Sequence, residues 1–223
     1  MKPWETLDTA QVPDGGEITL ARRGDEYALR VHGQVLMSSR RHGSEEALAE
    51  AGCADLAGRD KVRVLVGGLG FGYTVRAVLD RVGPGARVTV AELLPAVVAW
   101  NRGLVASLAG APLEDPRVTV VEGDVGVLMG RHANTFDAIL LDVDNGPTAL
   151  THADNQGLYG LAGLSRAATA LRPRGVLGIW SAGPAPGFER RMEQAGFTVQ
   201  LLHPAAHGSK GTRHTLFMGR RGR

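Results

Sequence analysis

The feature that most constrains this chain is one run, VRVLVGGLGFGYTVRAVL, from Val62 to Leu79. Apolar, mostly β-branched residues lead into Gly67, Gly68, Gly70 and Gly72, and a helix-compatible stretch follows. Val and Leu without alternation read as a strand buried on both faces, as a parallel sheet covered by helices requires. A glycine-rich turn directly after such a strand allows a close approach where a Cβ would intrude. The helix that follows presents unpaired N–H groups to a polar ligand. The alternative is a tight strand-to-helix connection without a ligand; four glycines at this topological place favour a bound cofactor.

The rest of the chain extends this pattern. Strands are predicted at 62–66, 88–91, 118–121, 136–141 and 176–180, with helices at 73–81, 96–108, 158–171 and 188–195 between and after them. Two last strands, 199–202 and 215–218, suit an antiparallel pair at the sheet edge. Ahead of this α/β segment, short strands at 17–21, 27–31 and 34–37 are broken by Gly24-Asp25 and His32-Gly33, which is the chemistry of turns in an antiparallel meander. Ser44 reads as an N-cap, with Glu45 and Glu46 in the first helical turn. The expected division is a small β-strand domain with its linking helix over 1–58 and a catalytic domain over 59–223.

Composition narrows the function classes. A chain of 223 residues with a net charge of +2 gives little electrostatic reason to expect nucleic acid. Cys53 is the sole cysteine, so an intrachain disulfide and a cysteine-based zinc site are excluded, and the seven histidines show no metal-binding spacing. No metal is expected. No apolar run approaches a membrane span, and the first residues lack an apolar leader, so the expectation is a cytoplasmic protein without membrane partners.

The glycine spacing bears on the ligand. A dinucleotide loop wants G-x-G-x-x-G, but Tyr73 stands where the third glycine belongs. Gly68-x-Gly70-x-Gly72 instead suits the amino-acid part of S-adenosylmethionine. Glu92, at the end of the second strand, is placed to accept from ribose hydroxyls, a role common to both ligands. Asp124, after the third strand, is placed to accept from an adenine amino group with Val125 against the ring; it is equally placed to cap the next helix. Gly67, Gly68, Gly70, Gly72, Glu92, Asp124 and Val125 therefore form the candidate cofactor set.

The fourth strand runs into FDAILLDVDNGP, Phe136 to Pro147. Asp142 and Asp144 emerge at the same sheet edge as the glycine loop. A nucleophilic amine must be neutral to attack a carbon on a sulfonium, and a carboxylate there can hold the ammonium and accept its proton. Asp142 and Asp144 are the candidate catalytic residues. His42, Glu45 and Tyr159 are the candidate substrate contacts, and His152, Asp154, Asn155 and Gln156 a candidate lid.

Taken in order, Val64–Gly72, Ala91-Glu92, Glu122-Gly123-Asp124 and Phe136–Asp142 resemble the spermidine synthase family, the polyamine aminopropyltransferases. The resemblance covers nearly the whole chain. It implies a Rossmann-like class I methyltransferase fold, a mostly parallel seven-stranded sheet with helices on both faces, preceded by a small antiparallel β domain. It also implies an adenosine ligand on Glu92 and Asp124, an acid among Asp142 and Asp144, a small-molecule amine substrate and a homodimer.

Three departures from the family pattern stand out. The acid of the family's glycine loop is absent, with Gly70 in its place. The post-strand loop is Asp142-Val143-Asp144-Asn145-Gly146-Pro147, and the family's tyrosine motif at the domain junction is replaced by Arg41-His42-Gly43-Ser44-Glu45-Glu46. The leading expectation is transfer of an aminopropyl or related alkyl group to an amine, from decarboxylated or intact S-adenosylmethionine. The alternatives are a methyltransferase on the same scaffold and a non-catalytic adenosine-ligand binding protein.

Overall fold

The computed structural model describes the chain except Met1, Asp14, His32, Asp144, Asn145, residues 149–156, Gly208, Ser209 and Arg223. Contacts divide it into two compact units, Met1–His42 and Gly43–Arg223. The first is a four-stranded antiparallel meander, β1 (Glu5–Gln11), β2 (Glu17–Arg23), β3 (Glu26–Val31) and β4 (Gln34–Ser38), paired in that order. Ile18, Leu20, Ala21, Ala28 and Leu29 are among its buried side chains. The sequence reading does not find β1, because ETLDTAQ has neither a buried run nor an alternating apolar face. Pairing to β2 makes it a strand, helped by an ion pair from Arg22 to Glu5 at 3.0 Å.

The second unit holds a seven-stranded sheet. Its strands are β5 (Arg63–Gly67), β6 (Arg87–Glu92), β7 (Val118–Glu122), β8 (Phe136–Leu141), β9 (Leu171–Ser181), β10 (Phe197–Leu202) and β13 (Thr215–Arg221). Their spatial order is β10-β13-β9-β8-β5-β6-β7. β13 alone runs against its neighbours, inserted between β10 and β9, while β9, β8, β5, β6 and β7 are mutually parallel. A two-stranded hairpin, β11 (Ala205–His207) with β12 (Lys210–Arg213), precedes β13. This is the Rossmann-like class I methyltransferase topology that the family resemblance implies.

Alternation along the buried strands sorts the two faces. Leu65, Ile139, Leu141, Leu177 and Ile179 form one core with α4 (Val125–Gly130), α5 (Leu161–Ala170) and α6 (Phe188–Gln194). Leu140 and Gly178 point to the other face, under α1 (Gly43–Cys53), which also lies beside α2 (Tyr73–Leu79). There a methyl on Gly178 would meet Leu48 Cδ1 at 2.9 Å, and one on Gly52 would run into the Leu140 side chain. The fit explains why α1 lies in the larger unit, whereas the sequence reading grouped it with the small domain through residue 58. With Leu48, Ala49 and Cys53 all buried, α1 is part of the cover of the sheet.

Two predicted helices are shorter than expected. The span 96–108 is α3 (Pro95–Arg102), interrupted at Gly103 and followed by a separate turn at Ala106–Ala109. The span 158–171 is broken at Gly160, with residues 157–159 helical before it and α5 running from Leu161 to Ala170 after it. Gly160 is extended, and β9 already begins at Leu171, where Pro173 disfavours helix for the residue before it.

Candidate active site

The chain leaves β5 through α2 and α3 toward β6 and β7, then returns to place β8 on the other side of β5. The crevice at this reversal, at the carboxyl ends of β5 and β8, is where open α/β sheets take ligands. Gly67 and Asp142 meet there, the Asp142 amide donating to the Gly67 carbonyl at 2.8 Å. Gly68 has φ +86°, and a Cβ on it would collide with the Asp142 backbone carbonyl. Glycine at 68 is thus dictated first by the close passage of two chains. Gly72 ends the loop at φ +84°, its α-carbon turned toward Pro112.

Glu92 clamps this loop. Its two carboxylate oxygens accept from the Leu69 amide at 2.8 Å and the Leu94 amide at 2.9 Å. A carboxylate accepts up to about four hydrogen bonds, so the clamp and a ribose diol are compatible. Asn101 ties the far side, donating to the Gly70 carbonyl at 2.8 Å. Asp124 is exposed and accepts from the Val127 amide at 2.7 Å, so it caps α4, one of the two roles its position allowed. Val125 is buried in the core cluster directly beside the loop, where a methyl on Gly67 would meet its Cγ2 at 2.9 Å.

Asp142 is held from α2 as well, its Oδ2 accepting from the Thr74 hydroxyl at 2.8 Å. Burial raises its carboxyl above the ordinary range, against the pull of that hydrogen bond. Glu45, in the first turn of α1, is only 5% exposed. Burial and then the Asp142 charge push it up to about 7, with the Ser44 hydroxyl opposing. Two buried carboxyls that sense each other resist ionising together, so near neutrality the pair favours holding a proton. Tyr73 lies in the same surroundings, its phenol raised to about 12 by burial and by the charges of Glu45 and Glu46.

The remaining candidates separate. Asp144 and the whole candidate lid at His152, Asp154, Asn155 and Gln156 lie outside the described residues. His42 is the last residue of the N-terminal unit, half-buried. Tyr159 is buried edge-on against Phe188 at 6.0 Å and donates to the Val143 carbonyl at 3.3 Å, so it braces the loop behind Asp142 from the core side.

Sequence reasoning missed Thr74, Ser44 and His214. Ser44, read as a helix cap, is fully buried, and its hydroxyl bonds Glu45, Trp180 and His214 instead. Trp180 and His214 join it from 136 and 170 residues away along the chain, a distance no local pattern spans. Among the described residues no cluster of acids, histidines and cysteines is arranged to hold a metal ion.

Comparison with known proteins bears on this geometry. No family model matches the chain. The polyamine aminopropyltransferase of Corynebacterium efficiens is 29% identical over 158 residues, covering 69% of this chain and 29% of the relative. That of Mycobacterium tuberculosis strain H37Rv is 31% identical over 172 residues, covering 75% of this chain and 31% of the relative. Over these stretches the chain is similar to the polyamine aminopropyltransferases. It spans under a third of the length of these curated relatives. The spermidine synthase of Thermotoga maritima superimposes with a TM-score of 0.78 at 18% identity, covering 97% of this chain and 73% of the other. A spermidine synthase in complex with the transition-state analogue AdoDATO does so with a TM-score of 0.80 at 19% identity, covering 97% and 74%. At such identities the superpositions show likeness of fold alone.

Proposed function

We propose that this chain is a spermidine synthase-like transferase that moves an aminopropyl or related alkyl group to an amine from decarboxylated or intact S-adenosylmethionine. The observation that carries the reading is the pair of acids Glu45 and Asp142 at the switch-point crevice, with Thr74 bonded to Asp142 beside Gly68. The edge also suits the donor chemically. Glu92 and Asp124, at the ends of successive strands, are acceptors for a ribose diol and an adenine amino group, and acids suit a cationic sulfonium. When bound, the donor supplies an electrophilic carbon next to that sulfonium.

The residues divide the remaining work. The crevice acids attract an ammonium and hold its nitrogen near the glycine loop. Asp142, fixed by Thr74, orients the amine and accepts its proton as the nitrogen turns nucleophilic. Glu45, with its raised pKa, is ready to take that proton on at neutral pH. The Glu92 clamp holds the Leu69 amide, and with it the loop, in one conformation. The small-molecule amine acceptor, the homodimer and the cytoplasmic location belong to the same proposal and are supported by the family resemblance.

One observation favours a second reading, a methyltransferase. The loop from Gly67 to Gly72 contains no acid, and its Phe71 is buried, so no loop carboxylate meets the amino-acid end of the donor. The two readings part in one experiment. The protein is incubated with each donor and a panel of amines, and the nucleoside product is identified. Methylthioadenosine marks aminopropyl transfer, and S-adenosylhomocysteine marks methylation. Neither product from any amine, with donor bound, would leave the non-catalytic binder standing.

A further inference from the structure

The amine proton must leave a crevice whose acids are buried, and one buried hydroxyl offers the route. Ser44 Oγ lies 2.6 Å from Glu45 Oε2, 3.0 Å from Trp180 Nε1 and 2.8 Å from His214 Nδ1. A hydroxyl has one hydrogen to donate and two lone pairs. The indole N–H of Trp180 only donates, so it always occupies one lone pair. The other lone pair and the single hydrogen are divided between Glu45 and His214, in either of two ways.

In the first, Ser44 donates to an ionised Glu45 and accepts from a protonated Nδ1 of His214. In the second, a protonated Glu45 donates to Ser44, and Ser44 donates to a bare Nδ1. Both arrangements satisfy every hydrogen bond of the hydroxyl. They differ by one proton, moved from the carboxyl to the imidazole as the O–H bond of Ser44 breaks on one side and re-forms on the other. Trp180 fixes the relay, donating to Ser44 and packing edge-on against the His214 ring at 4.7 Å. His214 immediately precedes β13, where Thr215 pairs with Ser181 at the end of β9.

We propose that Ser44 and His214 form a proton relay that carries the acceptor amine's proton from Glu45 out of the crevice. A proton enters as Glu45 becomes neutral, crosses through Ser44 to give an imidazolium at His214, and leaves from the other ring nitrogen. The proposal rests on the transferase reading. His214 acts through Glu45 and is a positioning residue for proton exit. The charged and titratable groups around the relay are Asp142, Glu46 and Tyr73 near Glu45, and Arg213 and His203 near His214, with His203 reaching Thr215 at 3.5 Å.

Two measurements on the full chain test the relay, and one of them needs no turnover. The first follows the ring nitrogens of His214 by nitrogen NMR against pH, in the wild type and in Glu45→Gln. The relay predicts that the His214 titration moves by at least half a pH unit when Glu45 is replaced; superimposable titrations overturn it. The second measures transfer in Ser44→Ala, Ser44→Thr and His214→Gln. Ser44→Ala and His214→Gln should lower kcat about tenfold or more at neutral pH with KM little changed, a modest share of what general acid–base groups supply. Ser44→Thr, which keeps the hydroxyl, should restore most of the rate. Because Ser44 is fully buried, His214→Gln guards against loss of folding in Ser44→Ala. If His214→Gln keeps the wild-type rate and pH profile while Asp142→Asn abolishes transfer, the relay is wrong and the transferase reading survives. If no donor gives any product, the transferase reading fails, and the NMR comparison still decides whether Glu45 and His214 exchange a proton.

Discussion

Replacing Glu45 by Gln should make the protein more stable above neutral pH and leave it nearly unchanged in mild acid. Glu45 is buried and its carboxyl is raised from 4.5 to about 7. A group whose folded pKa lies above its unfolded value contributes fully below the unfolded pKa, and that contribution is lost as pH climbs through the folded value. The wild type therefore loses stability between about pH 4.5 and pH 7 through this group. Each pKa unit corresponds to about 1.36 kcal/mol, so the full loss approaches about 3 kcal/mol by pH 8. In a chain of this size that is about 6–12 °C in Tm. Glutamine keeps the shape and the acceptor for Ser44 but carries no charge beside Asp142. The assay is thermal unfolding of wild type and Glu45→Gln at pH 5 and pH 8. The expected result is a variant within about 2 °C of wild type at pH 5 and clearly above it at pH 8, at some cost in amine binding. A variant less stable than wild type by the same amount at both pH values would refute the placement of a buried, proton-holding acid at 45.

Three further outcomes follow from the geometry. Gly68→Ala forces a positive-φ alanine against the Asp142 carbonyl and should cost about 2–5 kcal/mol by denaturant unfolding, with Asp142 displaced and transfer lost. Thr74→Val removes the hydroxyl that lowers the Asp142 pKa, so the midpoint of the pH–rate profile that depends on ionised Asp142 should move upward while the fold is kept. Asp137→Asn, on the buried residue that pairs with Arg59 at 2.6 Å and Arg172 at 2.7 Å and accepts from the Arg63 amide, should destabilise the catalytic unit by about 3 kcal/mol in urea unfolding.

What the sequence makes readable here follows the range of the interactions. Strands β5 and β8 announce themselves because burial on both faces leaves runs of Val, Leu and Ile, and β6 and β7 show through their valines on either side of Thr89 and Thr119. Asp142 and Glu92 are found because each ends such a run, and the topology brings those ends to one edge. Strand β1 is invisible because pairing alone, through an exposed polar segment, makes it a strand. Glu45 shows as an acid in the first turn of a helix, but nothing local says that it turns inward toward Asp142 or that Ser44 serves it rather than the helix end. Those facts depend on α1 packing over β8 and β9 and on Trp180 and His214 arriving from distant parts of the chain. Val125 and Tyr159 are both buried in the core cluster, yet each touches the edge from below, Val125 beside Gly67 and Tyr159 through the Val143 carbonyl.

The central claim is that Asp142 receives a proton from an amine attacking a sulfonium donor held at this edge. Its most direct measurement is the transfer of isotopic label from decarboxylated S-adenosylmethionine to a diamine by wild type and Asp142→Asn, with donor binding checked by calorimetry in both. Label should reach the diamine in the wild type and fall at least a hundredfold in Asp142→Asn while donor affinity stays within a few-fold. Equal labelling by both proteins would contradict the account.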